Sequence, residues 1–236
     1  MLRKLLREHS RFDYLRHYLQ ARTAARNAVF LWLPKTAGMS VYSALQAAGC
    51  YRLKSPSAVR YSFPQAGLVT FKHMGYAALV AEGLVSPEFD RSAFKFCFVR
   101  NPYDRAVSLY FFLRKKGHHP DAADFLAFWR AIAASNLPCV GAHKLVGPGI
   151  CNPQVRWLVG TQVDYQGRFE RLNEDFAEIT GHLGIGRVEL PWVNATRHEH
   201  WSTYYCDESK ALIDALFRED FDAFGYERTL TPPTAG

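Results

Sequence analysis

The chain has 236 residues, 48% hydrophobic, 14% aromatic and 22% charged, a mixture that excludes a disordered or fibrous protein and suits one folded domain with a continuous core. Lys plus Arg outnumber Asp plus Glu by 29 to 22, for a net charge of +7, so the field of the molecule favours anions: nucleotides, anionic glycans, nucleic acid or acidic lipid. No apolar run reaches the roughly 20 residues of a membrane span, and the start lacks the apolar core and cleavage site of a secretory signal, so the expectation is a cytoplasmic protein.

Residues 1–27 read as a basic amphipathic helix, with Arg3, Lys4, Arg7, Arg11, Arg16, Arg22 and Arg26 set among Leu5, Leu6, Phe12, Tyr14, Leu15 and Tyr18. Such a segment either makes peripheral contact with a membrane surface or polyanion or lies on the domain with a solvated face. Ala28 to Leu33 is a short apolar run that stops at Pro34, and a helical pattern follows from Ser40 to Ala48, closed by Gly49. Leu68 to Phe71 repeats this strand signal ahead of Lys72, His73 and a helix from Tyr76 to Leu84. Phe94 to Val99 is interrupted only by Lys95, and Pro102 stands at the first turn of a helix through Lys116.

Further helices are expected over Asp121–Ala134 and Asn152–Val159. A strand is expected within Val163–Leu172, then a helix capped by Asn173 and running to Leu183, and a last helix from Asp207 to Phe224 that ends at Gly225. Strands alternating with helices predict an α/β fold with a central, mainly parallel sheet flanked by helices. The domain spans residues 28–228, and 229–236 form a loose Pro-rich tail. Cys50, Cys97, Cys139, Cys151 and Cys206 are odd in number, scattered and without a CxxC pair, so reduced, mostly buried thiols are expected.

Ligands of open parallel sheets bind beyond the carboxyl ends of the strands, and the informative residues of this chain fall there. Pro34-Lys35-Thr36-Ala37-Gly38-Met39-Ser40 offers a cation, two hydroxyls, a glycine and the N–H groups of a helix start, all suited to phosphate or sulfate. It is not a Walker A loop, because the GxxxxGK[ST] spacing fails; read by itself, it is equally an ordinary strand-to-helix turn. Arg100 at a strand end and Ser108 about two turns into the next helix could meet one phosphate, or Arg100 could pair with Asp104 while Ser108 only packs.

The two loops together resemble the PAPS-dependent sulfotransferases, in particular the carbohydrate sulfotransferases related to heparan sulfate 2-O-sulfotransferase and their bacterial relatives (sulfotransferase family 2 type). The resemblance covers most of Ala28 to Glu227. It implies a P-loop-like three-layer fold in which Pro34, Lys35, Thr36, Ala37, Gly38, Met39 and Ser40 grip the 5′-phosphosulfate. In Phe98 to Tyr110 (FVRNPYDRAVSLY), it makes Arg100 and Ser108 ligands of the 3′-phosphate. It implies His73, in Phe71-Lys72-His73-Met74-Gly75-Tyr76, as catalytic base, with Lys35 also catalytic. The sequence departs from the family at Phe71, where the first of two histidines stands, and this leaves open whether a second residue assists His73.

Phe169-Glu170-Arg171-Leu172 with Asp175, and Asn194 to Tyr205, resemble distal segments of the family, and Arg197 or His198 would close over the nucleotide or lie at the surface. The implied donor is PAPS, the product adenosine 3′,5′-bisphosphate (PAP) and the acceptor a carbohydrate or glycoside, with no nucleic-acid partner. No metal is required, and His118-His119 and His198-Glu199-His200 lack supporting ligands at recognisable spacing. A P-loop-type nucleotide kinase and a non-catalytic polyanion-binding protein on the same scaffold are the competing expectations.

Overall fold

The computed structural model describes residue 19 and residues 26–118, 121–134, 148–186, 188–191 and 199–230. Along the chain run β1 (Ala28–Leu31), α1 (Gly38–Ala47), β2 (Tyr51–Arg52), α2 (Pro56–Ser62), β3 (Leu68–Thr70), α3 (Tyr76–Ala81), α4 (Pro87–Ser92) and β4 (Phe94–Val99). They are followed by α5 (Pro102–Lys115), α6 (Phe125–Ala134), β5 (Tyr165–Arg168), α7 (Leu172–Leu183), α8 (Asp207–Leu216) and α9 (Arg218–Phe224). Short 3-10 turns lie at Gln154–Trp157, Phe169–Arg171 and Trp201–Tyr204.

The five strands form one sheet in the order β2-β3-β1-β4-β5, every neighbouring pair parallel. Parallel strands need crossovers, and crossovers cover both faces with helices. That is why β1 and β4 read as unbroken apolar runs. Val29 and Leu31 of β1, with Cys97 and Val99 of β4, face a core shared with α2, α3, α4 and Trp157. Ala28 and Phe30, with Phe94, Phe96 and Phe98, face the opposite core, against α1 and α7. There Phe96 stacks on Phe30 and Phe94 with ring centroids 5.5 and 5.9 Å apart. Lys95, the one interruption in β4, is buried but neutralised: its ammonium donates to the carbonyls of Asp90 and Ala93 and lies 3.3 Å from the Asp90 carboxylate. A third core joins α5, α6, α8 and α9 through Tyr103, Leu109, Phe128, Trp129, Ile213, Phe217 and Phe221.

The architecture is the expected α/β one, with differences in detail. Two helices were not expected: α2 and α4, each capped by a serine whose hydroxyl accepts a backbone N–H (Ser55 from Ala58, Ser86 from Phe89) and each opened by proline. The final helix is two, because the backbone leaves helical geometry at the fully buried Phe217. Helix α7 starts at Leu172 after a 3-10 turn, which places Asn173 inside its first turn rather than at its cap. Asp124, whose carboxylate accepts from the Ala127 N–H, starts α6, and Asn152–Val159 is reduced to the turn at Gln154–Trp157.

Cys50 and Cys97 are buried, Cys151 is half-buried and Cys206 is exposed, all four free; Cys139 lies outside the described residues. The basic N-terminal helix also lies outside them apart from Leu19, Arg26 and Asn27, as does the tail from 231. Arg26 stacks on Phe94 at 4.6 Å and donates to the carbonyl of His182. Among the described residues no helix is long and apolar enough to cross a membrane.

Candidate active site

The chain leaves β1 for β2 and β3 on one side and returns to place β4 on the other. The loops that follow β3, β1 and β4 are therefore neighbours at the carboxyl edge, the position where such sheets bind ligands. In the β1 loop, Lys35 and Ala37 both adopt left-handed backbone, with φ of 70° and 62°. Non-glycine residues hold that conformation at a cost and concentrate at binding sites, where such turns aim N–H groups into anion-binding concavities. At Gly38 a Cβ would meet the Trp32 indole nitrogen at 1.8 Å, so α1 can start this close to β1 only with glycine there. Ala37 supplies no side-chain cap to α1, and no acidic residue stands in its first turn, so the positive end of the helix is left for an anion.

The side chains of this loop divide into those that build it and one that stands available. Thr36 is fully buried and its hydroxyl donates to the Leu33 carbonyl at 3.1 Å, which pins the turn. The Pro34 carbonyl accepts from Arg105 Nε at 3.2 Å. Ser40 is buried and Met39 exposed. The Lys35 ammonium rests 4.5 Å from the centroid of Phe112. Burial, and secondarily the Arg100 charge, lower its pKa from 10.5 to about 8.

Arg100 is buried at the end of β4. It grips Asp104 with two hydrogen bonds, Nε to Oδ2 at 2.8 Å and NH2 to Oδ1 at 2.7 Å, and donates to the Lys35 carbonyl at 3.2 Å. Phe169 lies 3.9 Å from the guanidinium carbon. The ion pair with Asp104 is thus formed, yet these three bonds use only three of the five guanidinium N–H groups. The bidentate pair fixes the plane of the fork rather than exhausting it. Ser108, also buried, follows Asp104 by one turn on the same face of α5.

His73 lies beside this loop because its Nδ1 is 3.0 Å from the Trp32 carbonyl. A carbonyl only accepts, so Nδ1 carries the proton and Nε2 is the basic nitrogen of the neutral ring. The imidazole stands edge-on to Trp32 and Trp157, with centroids 5.5 and 6.2 Å away. Trp32 and Trp157 also line a small cleft with Phe71, Lys72, Met74 and Tyr76, in whose wall His73 itself takes no part. The Trp157 indole N–H is buried without a hydrogen-bond partner.

Sequence reasoning missed the polar assembly beneath the two loops. Arg105 is fully buried; besides Pro34 it donates to the carbonyls of Ile150 and Asn152 at 2.9 and 3.0 Å, and its remaining nitrogen lies 3.8 Å from Asp220. Asp220, also fully buried, accepts from Val155 N–H at 2.9 Å and from the Gln154 amide at 3.2 Å. Gln154 in turn brackets Arg100, accepting from its N–H and donating to its carbonyl, both at 2.9 Å. The available signal was Arg105 itself, a charge beside Ala106, Val107 and Leu109 on a helix whose other faces are buried. Desolvation lowers the pKa of Arg105 and raises that of Asp220 against their mutual attraction.

Arg197 and His198 lie outside the described residues, as does His119. His200 accepts from Ser202 N–H and caps the turn Trp201–Tyr204. Among the described residues no group of three or more His, Cys, Asp or Glu side chains is arranged to hold a metal ion. Removing one partner of a buried pair strands the other charge, at a cost of about 3–5 kcal/mol. Asp220→Ala should therefore lose about that much stability in urea unfolding, and a loss below about 1 kcal/mol would show that the pair does not hold the two loops together.

No protein-family model matches the chain, and comparison with curated proteins finds no relative. Solved structures do match. The mouse sulfotransferase SULT7A1 complexed with PAP superposes with a TM-score of 0.50 at 17% identity, over 84% of this chain and 85% of that one. A sulfotransferase from Alicyclobacillus acidocaldarius gives a TM-score of 0.45 at 18% identity, over 86% of this chain and 97% of that one. The central parallel five-stranded sheet flanked by helices is therefore the P-loop-like fold of the mouse sulfotransferase.

Proposed function

We propose that this chain transfers a sulfuryl group from PAPS to an acceptor hydroxyl, and that the acceptor is a carbohydrate or glycoside. One observation carries the reading: a strained cationic loop at a helix start, a fixed arginine fork and a histidine of defined tautomer converge at the carboxyl edge of one parallel sheet. A fold shared with a sulfotransferase crystallised with PAP supports it.

On this reading the Lys35 ammonium and the N–H groups at the start of α1 hold the 5′-phosphosulfate, and Arg100 with Ser108 holds the 3′-phosphate. The acceptor oxygen attacks sulfur in line with the bond to the 5′-phosphate oxygen. The S–O bond breaks, the acceptor proton passes to His73 Nε2, and PAP leaves. His73 suits the task because the Trp32 carbonyl holds the proton on Nδ1 and leaves Nε2 as the basic nitrogen of the ring. Lys35 meets the charge that develops on the bridging oxygen. The chemistry is positioning and electrostatics, with no covalent enzyme intermediate and no metal in any step. The sugar acceptor rests on the motif resemblance.

Calorimetric titration with PAP, without added metal, should give micromolar binding, with ATP much weaker. Arg100→Ala should weaken PAP by about tenfold or more, the value of one or two charge-assisted hydrogen bonds. Lys35→Ala and His73→Ala should lower kcat, whereas Arg100→Ala and Ser108→Ala should mainly raise KM for PAPS. The reverse split, or a preference for magnesium-ATP, contradicts the assignment.

Lys35 also makes binding pH-dependent. Free, it loses its proton above about pH 8, while a bound phosphate favours the ammonium. Above pH 8 binding must take up a proton, and PAP affinity should fall by up to about tenfold per unit. The ligand-free protein behaves oppositely: between pH 8 and 10.5 the unfolded chain holds a proton that the folded one lacks, so stability rises with pH across that window. An affinity constant from pH 7 to 10 would contradict this role for Lys35.

A further inference from the structure

The β1 loop offers backbone carbonyls to side chains from three other parts of the chain. The Trp32 carbonyl lies 3.0 Å from His73 Nδ1, the Pro34 carbonyl accepts from Arg105 Nε at 3.2 Å, and the Lys35 carbonyl accepts from the Arg100 guanidinium at 3.2 Å. The 3-10 turn Gln154–Trp157 reaches the same three residues from another direction. Gln154 accepts from the Arg100 N–H and donates to the Arg100 carbonyl, both at 2.9 Å. The Val155 N–H donates at 2.9 Å to Asp220, whose other oxygen lies 3.8 Å from Arg105. Trp157 stands edge-on to His73 with ring centroids 6.2 Å apart. Positions 154, 155 and 157 of the turn thus answer positions 35, 34 and 32 of the loop, in reverse order.

The turn is itself held in place. Gln154 is fully buried and donates to Asp220 at 3.2 Å, and Arg156 pairs with Glu219 at the half-exposed outer side. Trp157 is buried in the core with Leu33, Phe71, Tyr76 and Val99. Its indole N–H has no hydrogen-bond partner. An indole with an unpaired donor is a costly way to fill an apolar wall, and what it supplies here beyond apolar volume is the flat ring against His73. The bond from Nδ1 to the Trp32 carbonyl fixes one nitrogen of the imidazole but not the tilt of its plane. The tilt is set by the Trp32 and Trp157 rings, at 68° and 69° to the imidazole.

We infer that Gln154 and Trp157 are positioning residues that hold the Arg100 fork and the His73 ring in one frame, so that a change at the Gln154 end of the turn is felt at the histidine. The roles of Arg100 and His73 rest on the function proposed above; the frame itself does not. Arg100 and His73 follow β4 and β3, which lie on opposite sides of β1, and the turn ties those two sides together across the β1 loop. Loss of either end lets the imidazole tilt, weakens the bond from Nδ1 to the Trp32 carbonyl, and releases the proton to Nε2, the nitrogen that has to be bare to act as a base.

The test is the nitrogen NMR spectrum of the ligand-free protein with its histidines labelled, the His73 signals being those lost in His73→Gln. At about pH 8.5, where an ordinary imidazole is neutral, wild-type His73 should be a single form with its proton on Nδ1. In Trp157→Leu and in Gln154→Met the ratio of the two neutral forms should shift toward Nε2–H by about fivefold or more, the worth of one neutral hydrogen bond. Trp157→Phe keeps a flat ring in the same core and should shift the ratio less, which also serves if Trp157→Leu does not fold. Arg156→Ala, at the outer side of the same turn, should leave His73 unchanged. A wild-type ratio in the Trp157 and Gln154 variants, or an equal shift in Arg156→Ala, overturns the inference. A shift in Trp157→Leu without one in Gln154→Met makes the two ends separate supports and overturns the shared frame. Failure of the wild type to bind PAP overturns the donor reading instead, and is read in a separate titration that the histidine spectrum does not depend on.

Discussion

The position of β1 between β3 and β4 is the constraint on which everything else depends. Parallel pairing on both sides, with Ala28 opposite Leu68 in β3 and Phe94 in β4, brings three loops from distant parts of the chain to one edge. The loop containing Lys35 must then turn sharply enough to start α1 against the same strand. Left-handed backbone at Lys35 and Ala37 makes the turn, and Gly38 permits the approach to Trp32. The same strand end supplies the carbonyl that sets the tautomer of His73. One stretch of seven residues, Trp32 to Gly38, thus fixes the β1 loop and orients the His73 ring.

Beneath that stretch lies a set of buried charges whose purpose is geometric. A buried ion pair is a poor source of net stability, because desolvation offsets much of its attraction. Arg105 and Asp220 nevertheless bring together segments that share no secondary structure: the Pro34 turn, residues 150–155, and the first turn of α9. Gln154 extends the assembly to both backbone groups of Arg100. The spacing between Lys35 and Arg100, the two cations a doubly phosphorylated nucleotide would bridge, is set by this assembly and by the Arg100–Lys35 carbonyl contact. Apolar side chains would fill the same volume without fixing that distance.

Much of this was legible in the sequence because it is local. Strand β4 could be read to its ends because both its faces are buried, and α5 because Pro102 starts it. The motif residues Lys35, His73, Arg100 and Ser108 fell at one edge because they follow strands. What escaped depends on contacts between remote segments. The Ser-Pro starts of α2 and α4 were visible but lie between weak periodic patterns. The break at Phe217 carries no proline or glycine and follows from where that ring packs. The partners of Arg105 lie 45 to 115 positions away in sequence, in loops and in α9, where no local pattern announces them.

The account stands on the claim that the β1 and β4 loops grip one doubly anionic nucleotide. Hydrogen–deuterium exchange with and without PAP reads that claim directly, because both loops offer backbone amides. Slowed exchange confined to residues 35–41 and 100–108, with residues 56–62 of α2 unchanged, is the predicted result. Protection elsewhere, or in only one of the two loops, would contradict it.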